Sequence, residues 1–234
     1  MKNSTYYFRS VLFLVFIFSN SIFAQESASS PMHFSLFGGL ALPQGDFGNT
    51  GNGSYDDKAG FANTGFFAML EAAKNLNESV KWVSSLSLAL NSLDESAMKS
   101  NYFDSDYKVT TGSYLTSWAM TGIGYETAIS PTINIYGVGQ IGLLLSSFPN
   151  IKVSYRGSPE ATATTKGGTS FAYGFGAGVI INKINIGLRY YSGKPEYEQP
   201  GGYYYYTYQG EFTTSTEKVQ RPATILQLMV GINL

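Results

Sequence analysis

Residues 222–234, PATILQLMVGINL, alternate with a period of two up to the last position. Leu226, Leu228, Val230, Ile232 and Leu234 fall on one face, and Gln227, Met229, Gly231 and Asn233 on the other. A helix would need apolar residues three and four apart, so this alternation marks a strand with two unlike faces. The pattern recurs in 184–193, where Ile184, Ile186, Leu188 and Tyr190 oppose Asn185, Gly187, Arg189 and Tyr191. In 169–181, Phe171, Tyr173, Phe175, Val179 and Ile181 alternate with Ala172, Gly174, Gly176 and Gly178.

Working outward from these segments, eight strands are predicted: 33–42, 61–73, 80–91, 111–127, 132–147, 169–181, 184–193 and 222–234. The alternation is weakest at 61–73 and 111–127, where both faces carry apolar residues. Each strand meets the ~9–11 residues that a tilted strand needs to cross a bilayer. The links alternate between long (43–60, 92–110, 148–168, 194–221) and short (74–79, 128–131, 182–183). Long loops sorted to one side and tight turns to the other predict an all-β, eight-stranded antiparallel up-and-down transmembrane β-barrel. An even strand number puts both chain ends on the short-turn side, which would be periplasmic.

The composition agrees. Among 234 residues, 16 acidic and 15 basic side chains leave a net charge of −1, which argues against a nucleic-acid partner. Charged residues make up 13%, about half the usual share, while aromatics reach 15%. Cysteine is absent, which removes disulfides, thiolate metal sites and a lipidated Cys.

At the N-terminus Lys2 and Arg9 precede an apolar stretch from Val11 to Phe18, a polar break at Ser19-Asn20-Ser21, and Ala24. This reads as a secretory signal peptide over 1–24, then a disordered lead-in over 25–32 and the barrel domain over 33–234. The apolar core is too short to span a bilayer, and no later run is long enough for a transmembrane helix.

The apolar face could point into a core or out into lipid. Polar residues on the other face (Glu71, Lys81, Glu126, Asn134, Gln140, Asn185, Arg189, Gln227, Asn233) favour a polar interior. Aromatics also gather at strand ends: Phe34, Trp82 and Tyr125 towards the periplasmic edge, and Trp118, Phe148, Phe171 and Tyr190 towards the loop edge. Two such girdles are expected of a membrane barrel. A lipocalin-like soluble barrel would place its apolar residues inside. On these assignments Leu228→Arg should impair assembly, and Gln227→Arg, facing the lumen, should be better tolerated.

HFSLFGGLALPQGDFG, INIYGVGQIGLLL and the closing ILQLMVGINL resemble the small outer-membrane barrels of the OmpA transmembrane-domain and OmpX type. The resemblance covers the mature chain and implies localisation in the outer membrane, contact with outer-membrane lipid and insertion by the barrel assembly machinery. That family's last strand usually ends in an aromatic; here it ends in Leu234. No peptidoglycan-binding domain is expected after it.

Four lumen charges, Glu71, Lys81, Glu126 and Arg189, should pair across an interior that eight strands leave narrow. They would form either a closing plug or a narrow path for ions or small solutes. The glycine-rich inner face of 169–181 leaves room for a small wet cavity. His33 is the sole histidine. Some barrels of this architecture modify lipid A with a His and a Ser or Asp near the outer surface, but His33 falls at the opposite end, so no catalytic residue is assigned. Asp46, Asp56, Asp57, Asp104 and Asp106 fit no calcium-loop spacing, and neither a metal nor a cofactor is expected. The last long loop carries Tyr203, Tyr204, Tyr205, Tyr206 and Tyr208. It reads as a protruding hairpin and as a recognition surface for an unidentified extracellular ligand. The sequence thus points to a monomeric, non-enzymatic barrel with a structural or surface-interaction role. The alternatives are a narrow channel, a lipid-modifying enzyme or a secreted binding barrel.

Overall fold

The structure, a computed structural model, describes residues 31–51, 59–103, 105–156, 161–163, 165–200 and 216–234. The strands are β1 (Met32–Pro43), β2 (Gly65–Asn75), β3 (Val80–Ser92), β4 (Tyr107–Thr111), β5 (Ser113–Ser130), β6 (Ile133–Ser147), β7 (Ile151–Tyr155) and β8 (Ala161–Ala163). They continue with β9 (Gly168–Ile181), β10 (Ile184–Gly193), β11 (Glu196–Pro200), β12 (Thr216–Gln220) and β13 (Ala223–Asn233); a helix, α1, spans Glu95–Tyr102.

Eight strands close an antiparallel barrel in the order β1-β2-β3-β5-β6-β9-β10-β13, so each pairs with the next barrel strand along the chain. The last returns to the first, with Leu228 opposite Leu40 and Ile232 opposite Leu36. The seam continues to the terminus, where the Leu234 amide donates to the Phe34 carbonyl at 2.9 Å. This is the predicted up-and-down barrel. In the tight β9–β10 turn Asn182 takes the left-handed conformation (φ 55°), which asparagine tolerates better than most residues.

Alternation sorts the side chains. On β13, Leu228, Val230 and Ile232 are exposed while Gln227 and Met229 are buried. The two weakly alternating strands have a physical explanation. Phe67 and Met69 of β2, and Tyr114, Trp118 and Met120 of β5, point inward and are buried, while Phe66, Leu70, Leu115 and Ile123 point outward. Both faces are apolar because the loop-side half of the lumen is itself a packed core.

The structure departs from the predicted strands in the long links. Residues 61–64 do not begin β2: Phe61 takes a positive φ of 52° and turns its buried ring into the lumen. Gly112 separates β4 from β5, its amide donating to the Asn150 carbonyl at 3.0 Å. β4, β7 and β8 build a separate three-stranded sheet from two different links. β11 and β12 form a two-stranded base for the last link, with Glu196 opposite Gln220. Tyr203, Tyr204, Tyr205, Tyr206, Tyr208, Asp56, Asp57, Asp104 and the predicted signal peptide 1–24 lie outside the described residues.

Candidate functional site

The lumen is stratified. At the short-turn end, alternation brings Lys81 of β3 and Glu126 of β5 to the inner wall, where Lys81 Nζ meets Glu126 Oε2 at 2.5 Å. Asn134 of β6 donates to the other carboxylate oxygen at 2.7 Å. Further in, Arg189 of β10 reaches Glu71 of β2 at 2.9 Å, with the guanidinium 1% exposed. The same guanidinium donates to Gln140 Oε1 at 2.9 Å, and Gln140 in turn donates to Ser85 Oγ at 3.2 Å. The Tyr191 hydroxyl donates to Gln140 Oε1 at 3.3 Å. The four lumen charges therefore stand as two ion pairs, each carboxylate offset by a cation as burial demands.

Above Arg189 the interior is apolar and filled. Trp118 stacks on Tyr191 with ring centroids 5.4 Å apart and planes 19° from parallel. Its indole N–H donates to Thr116 Oγ1 at 3.2 Å. Higher still, rings link edge to face: Phe47 to Tyr114 at 5.0 Å, Tyr114 to Phe148 at 5.2 Å and Phe148 to Tyr197 at 5.6 Å. Arg221 lies 5.4 Å over the Phe148 ring and donates to the Ala59 carbonyl at 3.2 Å. Tyr197, at the base of the last link, donates to Ser146 Oγ at 2.7 Å. Burial pushes its phenol up to about 12, with the Ser146 hydrogen bond and Arg221 pulling the other way. These side chains pack together at the loop end of the lumen.

Two residues assigned to the aromatic girdle are corrected. Trp118 is fully buried inside the barrel, and Phe148 packs on the interior cluster. A signal for both was present, because Trp118 shares parity with Glu126 and Phe148 with Gln140. The remaining five, Phe34, Trp82, Tyr125, Phe171 and Tyr190, project outward; Tyr190 is half-buried because Phe175 stacks on it at 5.0 Å. Gln227 points inward as expected, but Gln227→Arg loses its expected tolerance. Gln227 is fully buried, donates to Ser87 Oγ at 2.9 Å and sits opposite Arg189 in the ladder. A second cation there would meet like charge and no space. Sequence reasoning also missed Arg221, whose position gave no periodic signal.

On the loop side, Asp106 pairs with Arg156 at 2.6 Å, and Asp46 lies in a short 3-10 turn, Gly45–Phe47. Among the described residues no three His, Cys, Asp or Glu side chains gather to hold a metal. His33 lines the short-turn end beside Ser35 and Glu71. Ser35 is engaged with Asn233 Oδ1 at 2.8 Å and Glu71 with Arg189. Lys166 holds Glu198 at 2.7 Å, and that hydrogen bond and charge keep the Glu198 carboxyl below its ordinary value. The pair therefore supports the base of the last link above the ordinary carboxylate range, and the support is lost as pH falls through the lowered value. Lys166→Gln is expected to raise the Glu198 midpoint in an NMR titration; an unmoved midpoint would contradict the pairing.

No family model matches this sequence, and no curated protein matches it. Among solved structures, the chain is similar to Ail, the attachment invasion locus protein of Yersinia pestis. That match has 14% identity and a TM-score of 0.43, and covers 87% of this chain and 97% of that one. Neisserial surface protein A aligns at 12% identity with a TM-score of 0.40, over 89% of this chain and 100% of that one. The interior of this chain's barrel holds two ion pairs below a layer of packed rings, and its long links carry a two-stranded and a three-stranded sheet.

Proposed function

We propose that this protein is a monomeric, non-conducting and non-enzymatic β-barrel of the outer membrane of a bacterium with two membranes, acting in surface interaction through its long links. One observation carries the reading: a closed barrel whose outside is apolar around its girth while Glu71, Lys81, Glu126 and Arg189 are inside. Leu36, Leu40, Leu86, Leu88, Ile141, Phe175, Leu188 and Val230 are all exposed. Soluble monomers do not leave apolar surface continuous on this scale. From Trp82 to Leu90 the outward residues of β3 span about 26 Å at ~3.3 Å per residue, or about 20 Å of height at a ~40° tilt. Outward hydroxyls satisfy one another, as lipid requires: Ser84 and Thr121 lie 3.0 Å apart, and the Trp82 indole donates to Ser84 at 3.2 Å.

In this reading residues 1–24 direct export, the barrel assembly machinery inserts the strands, and the short turns face the periplasm. The ring-filled lumen above Arg189 supports a closed barrel over a channel. The engagement of Ser35 and Glu71 with other partners supports a non-enzymatic role. The tyrosine-rich segment Tyr203 to Tyr208, which joins β11 to β12 in the sequence, is the proposed contact for an extracellular ligand.

The deciding experiment is gel mobility of the protein from washed outer membranes, boiled against unboiled. A membrane-bound protein with a boiling-dependent shift and no conductance in planar bilayers is the expected result; a soluble protein without a shift would end the reading. Two mutational outcomes refine it. Leu228, opposite Leu40 and Leu188 at mid-strand, becomes a charge in the apolar band when changed to Arg. Leu228→Arg is expected to cost about 2–4 kcal/mol in urea unfolding from lipid vesicles, with Leu228→Phe nearly neutral; equal stability of both would place β13 the other way round. In vesicles of brominated-chain lipid, the emission of Trp82 should be quenched strongly and that of Trp118 little, compared using Trp118→Phe and Trp82→Phe. The reverse ranking would invert the two faces.

A further inference from the structure

On the outer wall near the short turns, the strand register sets one cation and two hydroxyls close together. Lys74 of β2 lies opposite Trp82 of β3. On the next outward rung, away from the turn, Ser84 of β3 lies between Ala72 of β2 and Thr121 of β5. These positions share the parity of Leu70 and Leu86, which are exposed, so their side chains stand on the outside of the barrel. Trp82 is exposed, and Lys74, Ser84 and Thr121 are half-buried. The two rungs are two residues apart along each strand, or ~6.6 Å.

The Trp82 indole N–H donates to Ser84 Oγ at 3.2 Å, and Ser84 Oγ lies 3.0 Å from Thr121 Oγ1. The three groups carry three hydrogens, and these two bonds use two of them. Whichever hydroxyl donates to the other, one O–H is left without an acceptor among the described residues. That hydrogen faces the apolar band, where an unmet donor is destabilising. Lys74 is in the same position with respect to charge, because it makes no ion pair with a carboxylate among the described residues. Ala72 separates Phe34 of β1 from Ser84, so only a methyl stands beside the hydroxyls on that side.

We propose that Lys74, Ser84 and Thr121 seat one glycerophospholipid in the leaflet on the short-turn side. The Lys74 ammonium pairs with the phosphate, and the spare hydroxyl hydrogen donates to an acyl ester carbonyl. A glycerophospholipid carries these two groups in that order, the phosphate outermost, with a short glycerol unit between them that suits the spacing of one rung. Trp82 belongs to the aromatic girdle, which sits at the level where headgroups give way to chains. A free phosphate would engage Lys74 alone, and a bare hydrocarbon chain would engage neither group. The inference rests on the reading of this barrel as a membrane protein, and deepens it by naming the lipid group that each side chain holds.

The test is an NMR titration of the folded protein in maltoside micelles, which offer neither phosphate nor ester. The probes are dihexanoyl phosphatidylcholine and its dihexyl ether analogue, which lacks the carbonyls. The diacyl lipid is expected to give saturable shifts at the backbone amides of Lys74 and Ser84. It should bind roughly three- to tenfold more tightly than the ether analogue, the effect of one neutral hydrogen bond. Lys74→Gln should weaken both lipids alike, roughly tenfold, and keep the ester preference. Removing one hydroxyl only frees another hydrogen, so the donors are deleted together: in Trp82→Phe/Ser84→Ala/Thr121→Val the preference should vanish. Equal affinity of the parent protein for the two lipids, or a preference that survives the triple variant, would overturn the proposal. The comparison on the parent needs no variant and decides the matter if the triple variant does not fold. The boiling-dependent gel shift separates the two readings. An inserted barrel without ester preference ends the lipid seat alone, whereas a soluble protein without a shift ends the membrane reading with it.

Discussion

Glu71→Leu is expected to destabilise the barrel by about 3–5 kcal/mol, because it strands a buried cation. Arg189 is 1% exposed, and Glu71 is the carboxylate it contacts, at 2.9 Å. Its remaining contacts are neutral: Gln140 at 2.9 Å and the Tyr191 hydroxyl at 3.5 Å. Neither can supply the lost charge. The double variant Glu71→Leu/Arg189→Met removes both charges and should recover most of the loss, since replacing a buried pair with apolar groups is often close to neutral. Urea unfolding from lipid vesicles, followed by the gel shift, measures all three proteins. A single variant within 1 kcal/mol of the parent would show that water reaches Arg189 and that the plug is not closed. Lys81→Met should cost less, because Lys81 and Glu126 are 23% and 16% exposed and keep part of their hydration.

Trp118→Ala should cost a similar amount, about 3–5 kcal/mol, for a different reason. The indole is fully buried and stacks on Tyr191 in the layer that also holds Met69 and Leu144. Removing it forfeits the transfer free energy of a large apolar group and leaves a void that a closed ladder of strands cannot collapse around. Trp118→Phe, which retains a ring, should lose much less. No conductance is expected from Trp118→Ala, because Phe148, Tyr197 and Tyr114 still close the lumen above it. A Trp118→Ala barrel as stable as the parent would show that this layer is loosely packed, and a current through it would show that the upper ring cluster is not a seal.

How much of this was legible in the sequence differed from residue to residue. The inward placement of Arg189, Glu71, Lys81 and Glu126 follows from parity along their strands. Their division into Arg189–Glu71 and Lys81–Glu126 does not, because the partners lie 118 and 45 residues apart. Trp118 and Phe148 were misplaced by composition: an aromatic near a strand end suggests a lipid interface, whereas parity with Glu126 and Gln140 puts each inside. The short sheet of β4, β7 and β8 was missed because YKVTT and IKVSY are too brief to signal a strand, and each finds its partner in another link.

By itself, the sequence determined the eight-stranded meander. Every barrel strand pairs with its neighbour along the chain, apart from the closing pair, so alternation and link length are local signals of a global shape. Only the tertiary structure decided what fills the barrel. Closure brings inward residues of distant strands together, as where Ser85 meets Tyr191 across 106 residues. Volume, not periodicity, then settles which of them pack. The glycines of β9 and β10 show the difference: in the chain they read as empty space, and in the barrel Tyr191, Arg189 and Tyr136 occupy that space and leave a cavity beneath them.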